Sequence, residues 1–218
     1  VVAKAIRIGL ALNCEINQHN FFDRKNYFYA DLPKGYQITQ DNSPICKNGF
    51  LNVVLANGEE KRIGINRIHL EEDAGKSIHD QDPNYSYVDL NRAGVPLIEI
   101  VTEPDIRSAE EASALLTEIR TLVRHLNVSD GNMEEGSLRC DANISIRKTG
   151  STDFGTRCEV KNLNSMRNVR RAMEFEFNRQ IEVIESGGKI IQSTLKFDAD
   201  KGTASPMRTK EEANDYRY

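Results

Sequence analysis

Three adjacent acids stand next to a phosphate-loop sequence in the first half of the chain. The stretch RIHLEEDAGKSIHD contains Glu-Glu-Asp at 71–73 and Gly-Lys-Ser at 75–77, and Gly-Lys-Ser is how a P-loop ends. A P-loop also requires a glycine five residues before the glycine of that tripeptide, and Leu70 occupies this position. The sequence therefore argues against a P-loop and leaves a carboxylate metal site or an ordinary charged turn.

The acids of this stretch have the right chemistry for magnesium, which takes a few carboxylate oxygens and keeps waters that it shares with substrate phosphates. Glu71 and Glu72 are neighbours, so on an extended backbone their side chains point to opposite sides and only one can enter a given site. A second acid is available in VPLIEIVTEPD, where Glu99 alternates with apolar residues and an unpaired charge is costly. Its partner is either a metal ion or an arginine such as Arg139, and a structural salt bridge is the alternative.

A second polar group lies along SLRCDANISIR, residues 137–147. Apolar and polar residues alternate there with the two-residue period of a strand, so Arg139, Asp141 and Asn143 share the polar side. The following TRCEVKNL repeats the pattern and places Lys161 on its polar side. If the two strands form a hairpin, one sheet face carries many charged and amide side chains. Arginine favours a phosphate-binding or carboxylate-binding face over a solvated one.

Basic and aromatic residues are interleaved in FFDRKNYFYADLPKGYQITQ, residues 21–40. Basic side chains can contact phosphates while aromatic rings stack on unpaired bases, a combination that single-strand binders use. The alternative is a strand whose aromatic side chains lie in the core and whose basic side chains lie in water. The interleaved residues are Arg24, Lys25, Tyr27, Phe28, Tyr29, Lys34 and Tyr36.

The strands that must position the first acids are predicted from turn and period signals. Asn57-Gly58 stands between two strand-like runs, which predicts a hairpin. After it the apolar phase of the strand changes between Ile65 and Ile68. Such a change predicts a bulge or a bend just before the acidic stretch.

Two helices follow from apolar residues at helical spacing. One begins after a capping box of Ser108 and Glu111, and the other runs from about Ser165 to the Gly-Gly at 187–188. The second helix is predicted to face the core through Met166, Val169, Met173, Phe177, Ile181 and Ile184. Hairpins mixed with helices, without regular βαβ alternation, indicate an α+β fold with a mainly antiparallel sheet and helices on one side. The other side would be free to hold a substrate.

The composition of the chain limits the class of protein to which it can belong. The chain has 218 residues, 39% of them hydrophobic, and a net charge of −4, which fits a folded protein and argues against a surface that is basic throughout. No run has the length of a bilayer span and no signal peptide is evident, so a cytoplasmic protein is expected. The cysteines form no CxxC pair and are predicted to be free thiols; they are Cys14, Cys46, Cys140 and Cys158.

Several motifs resemble the GatB/GatE family in order and spacing, from about Leu10 to Tyr218. They read FDRKNYFY, DLPKGYQI, HLEEDAGK, VDLNRAGVPLIEIVTEPD, MEEGSLRCDANIS, EVKNLNS and DYRY. The bacterial and organellar members are B subunits of the glutamyl-tRNA(Gln)/aspartyl-tRNA(Asn) amidotransferase. The resemblance implies a catalytic cradle domain similar to the glutamine synthetase and guanidino-kinase fold, in agreement with the α+β prediction.

The resemblance also implies a reaction and its partners. Such a ligase uses ATP and Mg²⁺ to phosphorylate the side-chain carboxylate of glutamate misacylated on tRNA(Gln). Ammonia that a partner amidase releases from glutamine then displaces phosphate. The partners are this amidase, which is the A subunit, and the small C subunit, and the complex is a heterotrimer. The sequence does not decide whether Glu-tRNA(Gln), Asp-tRNA(Asn) or both are substrates.

By analogy with the family, Glu72 and Glu99 are the expected magnesium ligands. Lys76 is expected to contact a phosphate or to pair with Asp73. Strand geometry adds a group expected to bind phosphate or the aminoacyl end, namely Arg139, Asp141, Asn143 and Lys161. The residues expected at the tRNA acceptor end are Arg24, Lys25, Tyr27, Tyr29 and Tyr36.

The chain departs from the family pattern in three places. It begins after the strand that carries Glu-x-His in family members, and it ends before their helical and tail domains. Residues 1–218 are therefore expected to be a single cradle-domain fragment that is inactive alone, or a scaffold and tRNA-binding module. Gln192–Leu195 reads QSTL where the family has Gln-Glu-Thr-Arg, so any role of that Glu or Arg stays open.

Overall fold

The computed structural model describes residues 1–79 and 81–207 and the backbone of one further strand at 215–217. The helices are α1 (Val2–Ala11), α2 (Ala109–His125) and α3 (Met166–Glu185). The strands are β1 (Glu15–Ile16), β2 (Asp23–Asn26), β3 (Tyr36–Thr39), β4 (Cys46–Val54), β5 (Glu60–Glu72), β6 (Lys76–Ile78), β7 (Tyr87–Asp89), β8 (Pro96–Thr102), β9 (Cys140–Ile144), β10 (Cys158–Leu163), β11 (Ser193–Asp198), β12 (Thr203–Pro206) and β13 (Asp215–Arg217). These elements confirm the α+β class with mainly antiparallel sheets.

Two compact units make up the chain. The first contains the described residues of Val1–Asn52, Arg62–Asp105 and Glu211–Tyr218, and the second contains those of Val53–Lys61 and Ile106–Lys210. The expectation of a single domain over 1–218 stays a prediction.

The main sheet of the first unit has the strand order β1-β4-β5-β8. β4 and β5 form the predicted hairpin, and Gly58 in its turn has a φ of 84°, a left-handed conformation that glycine adopts without strain. The β5–β8 register shifts between Ile65 and Arg67, which confirms the predicted bulge. Because of this bulge, Ile65 and Ile68 are both buried although they are three residues apart.

The tripeptide Gly-Lys-Ser belongs to a small two-stranded sheet. It leads into β6, which pairs with β7, and Gly75 N donates to the carbonyl oxygen of Asp31. The hydroxyl of Ser77 donates to the Asp31 carboxylate at 3.0 Å. The exclusion of a P-loop is therefore confirmed, because these residues are in an extended strand and not in a phosphate-wrapping loop.

The second unit is a four-stranded sheet with the order β12-β11-β10-β9 and two helices. One face of the sheet packs on the helices in a shared apolar core, which agrees with the prediction of helices on one side. The buried members of this core are Leu116, Met133, Ala142, Ile144, Cys158, Val160, Leu163, Val169, Ala172, Leu195 and Phe197.

One connection in this unit differs from the prediction. β10 and β11 run parallel, and α3 connects them, so the chain contains a βαβ crossover. Parallel neighbours require such a long connection. The turn signals of the sequence indicate hairpins alone, and the family pattern that would mark the strand around Leu195 is lost there.

The helix boundaries agree with the predictions, but the buried face of α3 agrees only in part. Ser108 and Ser165 are the N-caps of α2 and α3, and their hydroxyls accept hydrogen bonds from the backbone N–H groups of Glu111 and Asn168. Phe177 of the predicted apolar stripe is 50% exposed. Val169 is buried as predicted, but the other buried residues of the helix are Asn168, Ala172, Glu176 and Gln180, which the prediction did not include.

All four cysteines are free thiols, as predicted, and Cys140 is the one that is only partly buried. Among the described residues, no helix combines the length and the apolar character needed to span a bilayer.

Candidate functional site

Strands β5 and β8 bring together three groups that can bind a metal ion. Arg67, His69 and Glu71 lie at two-residue spacing after the bulge of β5 and therefore share one face. His69 is the cross-strand neighbour of Glu99 on β8. One ligand atom from each of His69, Glu71 and Glu99 lies within 4.8 Å of the others.

The imidazole of His69 faces both carboxylates. Its Nε2 atom lies 3.8 Å from Oε2 of Glu71 and 3.9 Å from Oε2 of Glu99. The side chains of His69 and Glu71 are almost fully buried, whereas that of Glu99 is 48% exposed. The cluster is thus open to solvent on the Glu99 side, where a ligand can enter.

The pKa values of Glu71 and Glu99 move in opposite directions because the two carboxylates interact. Partial burial, then the hydrogen bond and charge of Glu71, raise the pKa of Glu99 to about 7. Burial would also raise the pKa of Glu71, but the polar interactions with His69 and Glu99 outweigh it and lower that pKa to about 2. Two close carboxylates that cannot both ionise freely are a site where a divalent cation is stabilising.

Arg67 fixes the tautomer of His69. Its Nε–H donates to Nδ1 of His69 at 3.4 Å, and because a guanidinium only donates, Nδ1 is an acceptor. The neutral imidazole therefore carries its proton on Nε2, the atom that faces the carboxylates. In this arrangement the Nε2–H group of His69 faces Glu71 and Glu99 at 3.8 and 3.9 Å, a polar contact longer than a hydrogen bond. The two carboxylates provide the oxygen ligands that magnesium prefers.

Glu72 lies on the opposite side of β5 from this cluster. Its carboxylate pairs with the ammonium group of Lys34 and its Oε1 accepts a hydrogen bond from Ile38 N at 2.9 Å. The structure therefore brings Glu99 together with Glu71 and not with Glu72. The strand alternation that separates the two glutamates is as predicted, but the analogy with the family selects Glu72 for the metal, and the geometry favours its neighbour.

Strand β3 supports both glutamates. The hydroxyl of Thr39 donates to Oε2 of Glu71 at 3.2 Å, and Nε2 of Gln37 donates to the carbonyl oxygen of Glu72 at 2.6 Å. Thr39 is buried, so water does not compete for this contact. Neither residue stands out in the sequence, since nothing in their spacing indicates that β3 lies against the end of β5.

Asp73 and Lys76 do not form the ion pair that was one of the two expectations for Lys76. Asp73 is buried and accepts a hydrogen bond from Nε of Arg92 at 2.9 Å. Lys76 is exposed at the start of β6. Contact of Lys76 with a phosphate stays a prediction.

The polar face predicted on β9 and β10 exists in the second unit, but Arg139, one of its expected cationic side chains, lies outside β9. Nζ of Lys161 lies 2.6 Å from Oδ2 of Asp141 and 3.2 Å from Oε1 of Glu159. Burial lowers the pKa of Lys161, but these two carboxylates outweigh it and raise the pKa. Asn143 is the cross-strand neighbour of Glu159. Arg139 is exposed just before β9 begins, outside the strand in which it was predicted.

The segment with interleaved basic and aromatic residues forms β2, β3 and the loop between them. The guanidinium of Arg24 lies 4.9 Å from the centre of the Tyr36 ring, and the ammonium of Lys25 lies 5.8 Å from the Tyr27 ring. Tyr27 and Tyr29 are in edge contact at 5.8 Å. The aromatic side chains are partly or fully exposed rather than core residues, with Phe28 at 87%. The alternative of a strand with a buried aromatic face is therefore wrong.

Comparison with known proteins adds an independent finding. The GatB/GatE catalytic domain family matches residues 1–218. Three relatives that are named as the B subunit of an aspartyl/glutamyl-tRNA(Asn/Gln) amidotransferase are each 58% identical to the chain. They come from Rickettsia canadensis (strain McKiel), Pseudomonas fluorescens (strain Pf0-1) and Halorhodospira halophila (strain DSM 244 / SL1). Each match covers 100% of the chain and 45–46% of the relative, so the chain spans about half the length of the curated relatives it matches.

Proposed function

Because the chain belongs to the GatB/GatE catalytic domain family, we propose that it forms the carboxylate-activating site of an aminoacyl-tRNA amidotransferase. The observation that supports this most is the pair of Glu71 and Glu99, held with His69 on one sheet face. The substrate is glutamate misacylated on tRNA(Gln), with aspartate on tRNA(Asn) as a second substrate of the same chemistry. The name of the relatives covers both reactions.

The proposed reaction has two steps. An oxygen of the substrate side-chain carboxylate attacks the γ-phosphorus of ATP, the bond to the bridging oxygen breaks, and ADP leaves. Ammonia then attacks the carbon of the resulting acyl phosphate, phosphate leaves with the electron pair of the broken C–O bond, and the nitrogen loses a proton. Positioning and charge neutralisation provide most of the catalysis in such transfers.

Glu71 and Glu99 are the residues that would hold Mg²⁺. When bound, this ion would neutralise charge on the ATP phosphates. The Nε2–H group of His69 faces the two carboxylates, and Arg67 keeps the imidazole in that tautomer. Thr39 holds Oε2 of Glu71. Partners of this kind, which orient ligands, typically change metal affinity by about 10–100-fold when removed.

The remaining assignments stay part of the proposal. Lys76 would contact ATP, and the polar face of β9 and β10 would bind phosphate or the aminoacyl group through Arg139, Asp141, Asn143 and Lys161. The tRNA acceptor end would contact the exposed aromatic and basic segment through Arg24, Lys25, Tyr27, Tyr29 and Tyr36. The proposal also includes the glutamine synthetase-like cradle, a cytoplasmic location, and a heterotrimer with the amidase and the small C subunit.

A non-catalytic role as a scaffold and tRNA-binding module is the second candidate. It is supported by the exposed basic and aromatic side chains of residues 24–36, which could contact RNA without any use of ATP. The same test separates the two candidates, because a scaffold binds the tRNA without consuming ATP.

Transfer of the ATP γ-phosphate to the misacylated tRNA is the test of this function. The full-length protein, assembled with its partner subunits, is incubated with Glu-tRNA(Gln) and γ-phosphate-labelled ATP in the absence of an ammonia source. We expect label on the aminoacyl group that hydroxylamine releases as phosphate, and conversion to Gln-tRNA(Gln) when ammonia is added. Tight tRNA binding without tRNA-dependent ADP formation would support the scaffold instead.

A further inference from the structure

A cationic groove lies between the two helices of the second unit. It encloses about 400 Å³, and residues of α2 and of the first half of α3 form its walls. The lining residues are Ser113, Met166, Arg167, Arg170, Arg171 and Glu174. Three guanidinium groups and one carboxylate thus face a single depression, on a chain whose net charge is −4.

Two of the three guanidinium groups are available to a ligand. Arg167 is exposed, and nothing in the described part of the chain pairs with it. Arg170 pairs with Glu174 at 3.9 Å, and both side chains are more than half exposed, so water weakens this pair. Arg171 is held in place instead, since its Nη1 donates to the carbonyl oxygen of Ala199 at 2.6 Å.

The spacing of the charged residues puts them on one line. Positions 167, 170, 171 and 174 are three and four residues apart, so they follow one face of α3. Arg167 and Arg170 are separated by three residues, a rise of about 4.5 Å along the helix. Guanidinium groups arranged along a line suit successive phosphates, to which each can donate two parallel hydrogen bonds.

The positions of the charged residues along α3 support a binding role, because they are unfavourable for the stability of the helix itself. The positive end of a helix dipole is at the N-terminus, where acids are stabilising and cations are destabilising. α2 follows this rule, with Glu110 and Glu111 in its first turn and Arg124 in its last. α3 reverses it: it has no acid in its first turn and no base in its last. The arginines in the first half of α3 lie near the positive end of the helix dipole, where their charge is destabilising. Residues that break a local stability rule in this way are often functional.

We propose that this groove binds phosphodiester groups of RNA, and this inference rests on the proposed function, in which the RNA is the misacylated tRNA. The lining residues include no aromatic ring, so the groove has no platform for a stacked base. Contact with the backbone alone is independent of base sequence and strongly dependent on salt. The groove therefore contributes affinity and orientation to tRNA binding, and base recognition takes place elsewhere.

The salt dependence of tRNA binding tests this proposal. Filter binding of misacylated tRNA to the full-length protein in its complex is measured between about 50 and 300 mM salt for the wild type and for Arg167→Gln/Arg170→Gln. The slope of log affinity against log salt is negative, and each lost phosphate contact makes it less steep by about 0.7–0.9. We expect the slope of the double variant to become less steep by about 1.5 and its affinity at the lowest salt to fall about tenfold.

A matched control removes the same charge from the same unit. Lys148→Gln/Lys189→Gln changes two exposed lysines that have no partner among the described residues, and its slope should stay within about 0.3 of the wild type. The melting temperature of the arginine variant should be unchanged or about 1–2 °C higher, because the dipole no longer opposes the charges. A variant that loses both binding and stability would indicate a structural role and overturn the proposal.

Three further results would also overturn it. The first is an unchanged salt slope in the arginine variant, and the second is a lysine control whose salt slope changes as much as that of the arginine variant. The third is a loss of ATP affinity in the arginine variant with tRNA binding intact, which would show that the groove binds the phosphates of a nucleotide. Phosphoryl transfer by the wild-type complex, measured in parallel, separates this inference from the proposed function. If transfer occurs and the slope of the arginine variant is unchanged, the groove inference alone fails. If that slope becomes less steep and transfer by the wild type is absent, the proposed function alone fails.

Discussion

Glu71→Gln in the full-length protein is expected to lower the rate of magnesium-dependent phosphoryl transfer by about 10²–10³-fold, whereas Glu72→Gln is expected to lower it less than tenfold. The two residues are adjacent and chemically identical, but their side chains leave β5 on opposite sides. Glu71 lies with His69 and Glu99. Glu72 is occupied by Lys34 and by the backbone of β3.

The measurement is the initial rate of ADP formation that depends on Glu-tRNA(Gln), at saturating ATP and over a range of magnesium concentrations. Glu99→Gln should behave like Glu71→Gln, because both remove one carboxylate of the same pair. If the substitution acts by weakening the binding of magnesium, part of the rate lost in Glu71→Gln should be recovered at high magnesium concentration. A larger defect in Glu72→Gln than in Glu71→Gln would contradict the geometry and favour the choice made from the sequence.

Arg179→Met is expected to lower the melting temperature by roughly 6–12 °C, equivalent to about 3 kcal/mol of unfolding free energy. The carboxylate of Glu176 is fully buried. It accepts hydrogen bonds at 2.7 Å from Nε and Nη2 of Arg179 and from Nε2 of Gln180. Without the guanidinium, a buried charge remains with one neutral donor, and such an uncompensated charge is strongly destabilising.

Two further variants make this measurement specific. Arg170→Met applies the same change to an exposed arginine of the same helix and should stay within about 0.5 kcal/mol of the wild type. The double variant Glu176→Gln/Arg179→Met removes both charges and should recover at least about half of the lost stability. If Arg179→Met and Arg170→Met have the same melting temperature, the ion pair does not stabilise the buried face of α3.

The parts of the fold that depend on short-range chemistry were predictable from the sequence. A turn that needs a left-handed residue predicted the hairpin at Gly58, and a phase change in the apolar pattern predicted the bulge after Ile65. The capping box at Ser108 and the start of α3 at about Ser165 followed in the same way from local sequence. Each of these features depends on a few neighbouring residues, so no knowledge of distant packing was needed.

The missed features depend on partners that are distant in sequence or unusual in type. The hydrophobic pattern placed Phe177 in the core because it treats every acidic residue of a helix as exposed. Glu176 is buried instead, since Arg179 and Gln180 satisfy it one turn later. The choice between Glu71 and Glu72 likewise depends on which strands lie on each side of β5, and a local pattern contains no such information.

The metal site itself is tested most directly by binding of Mn²⁺, a paramagnetic substitute for Mg²⁺, to the full-length protein in the presence of ATP. Electron paramagnetic resonance counts the bound and free ions. We expect one tight site in the wild type, a loss of affinity of at least about tenfold in Glu71→Gln and in Glu99→Gln, and an affinity within about threefold of the wild type in Glu72→Gln. Wild-type Mn²⁺ affinity in both Glu71→Gln and Glu99→Gln would contradict a metal site at these two carboxylates.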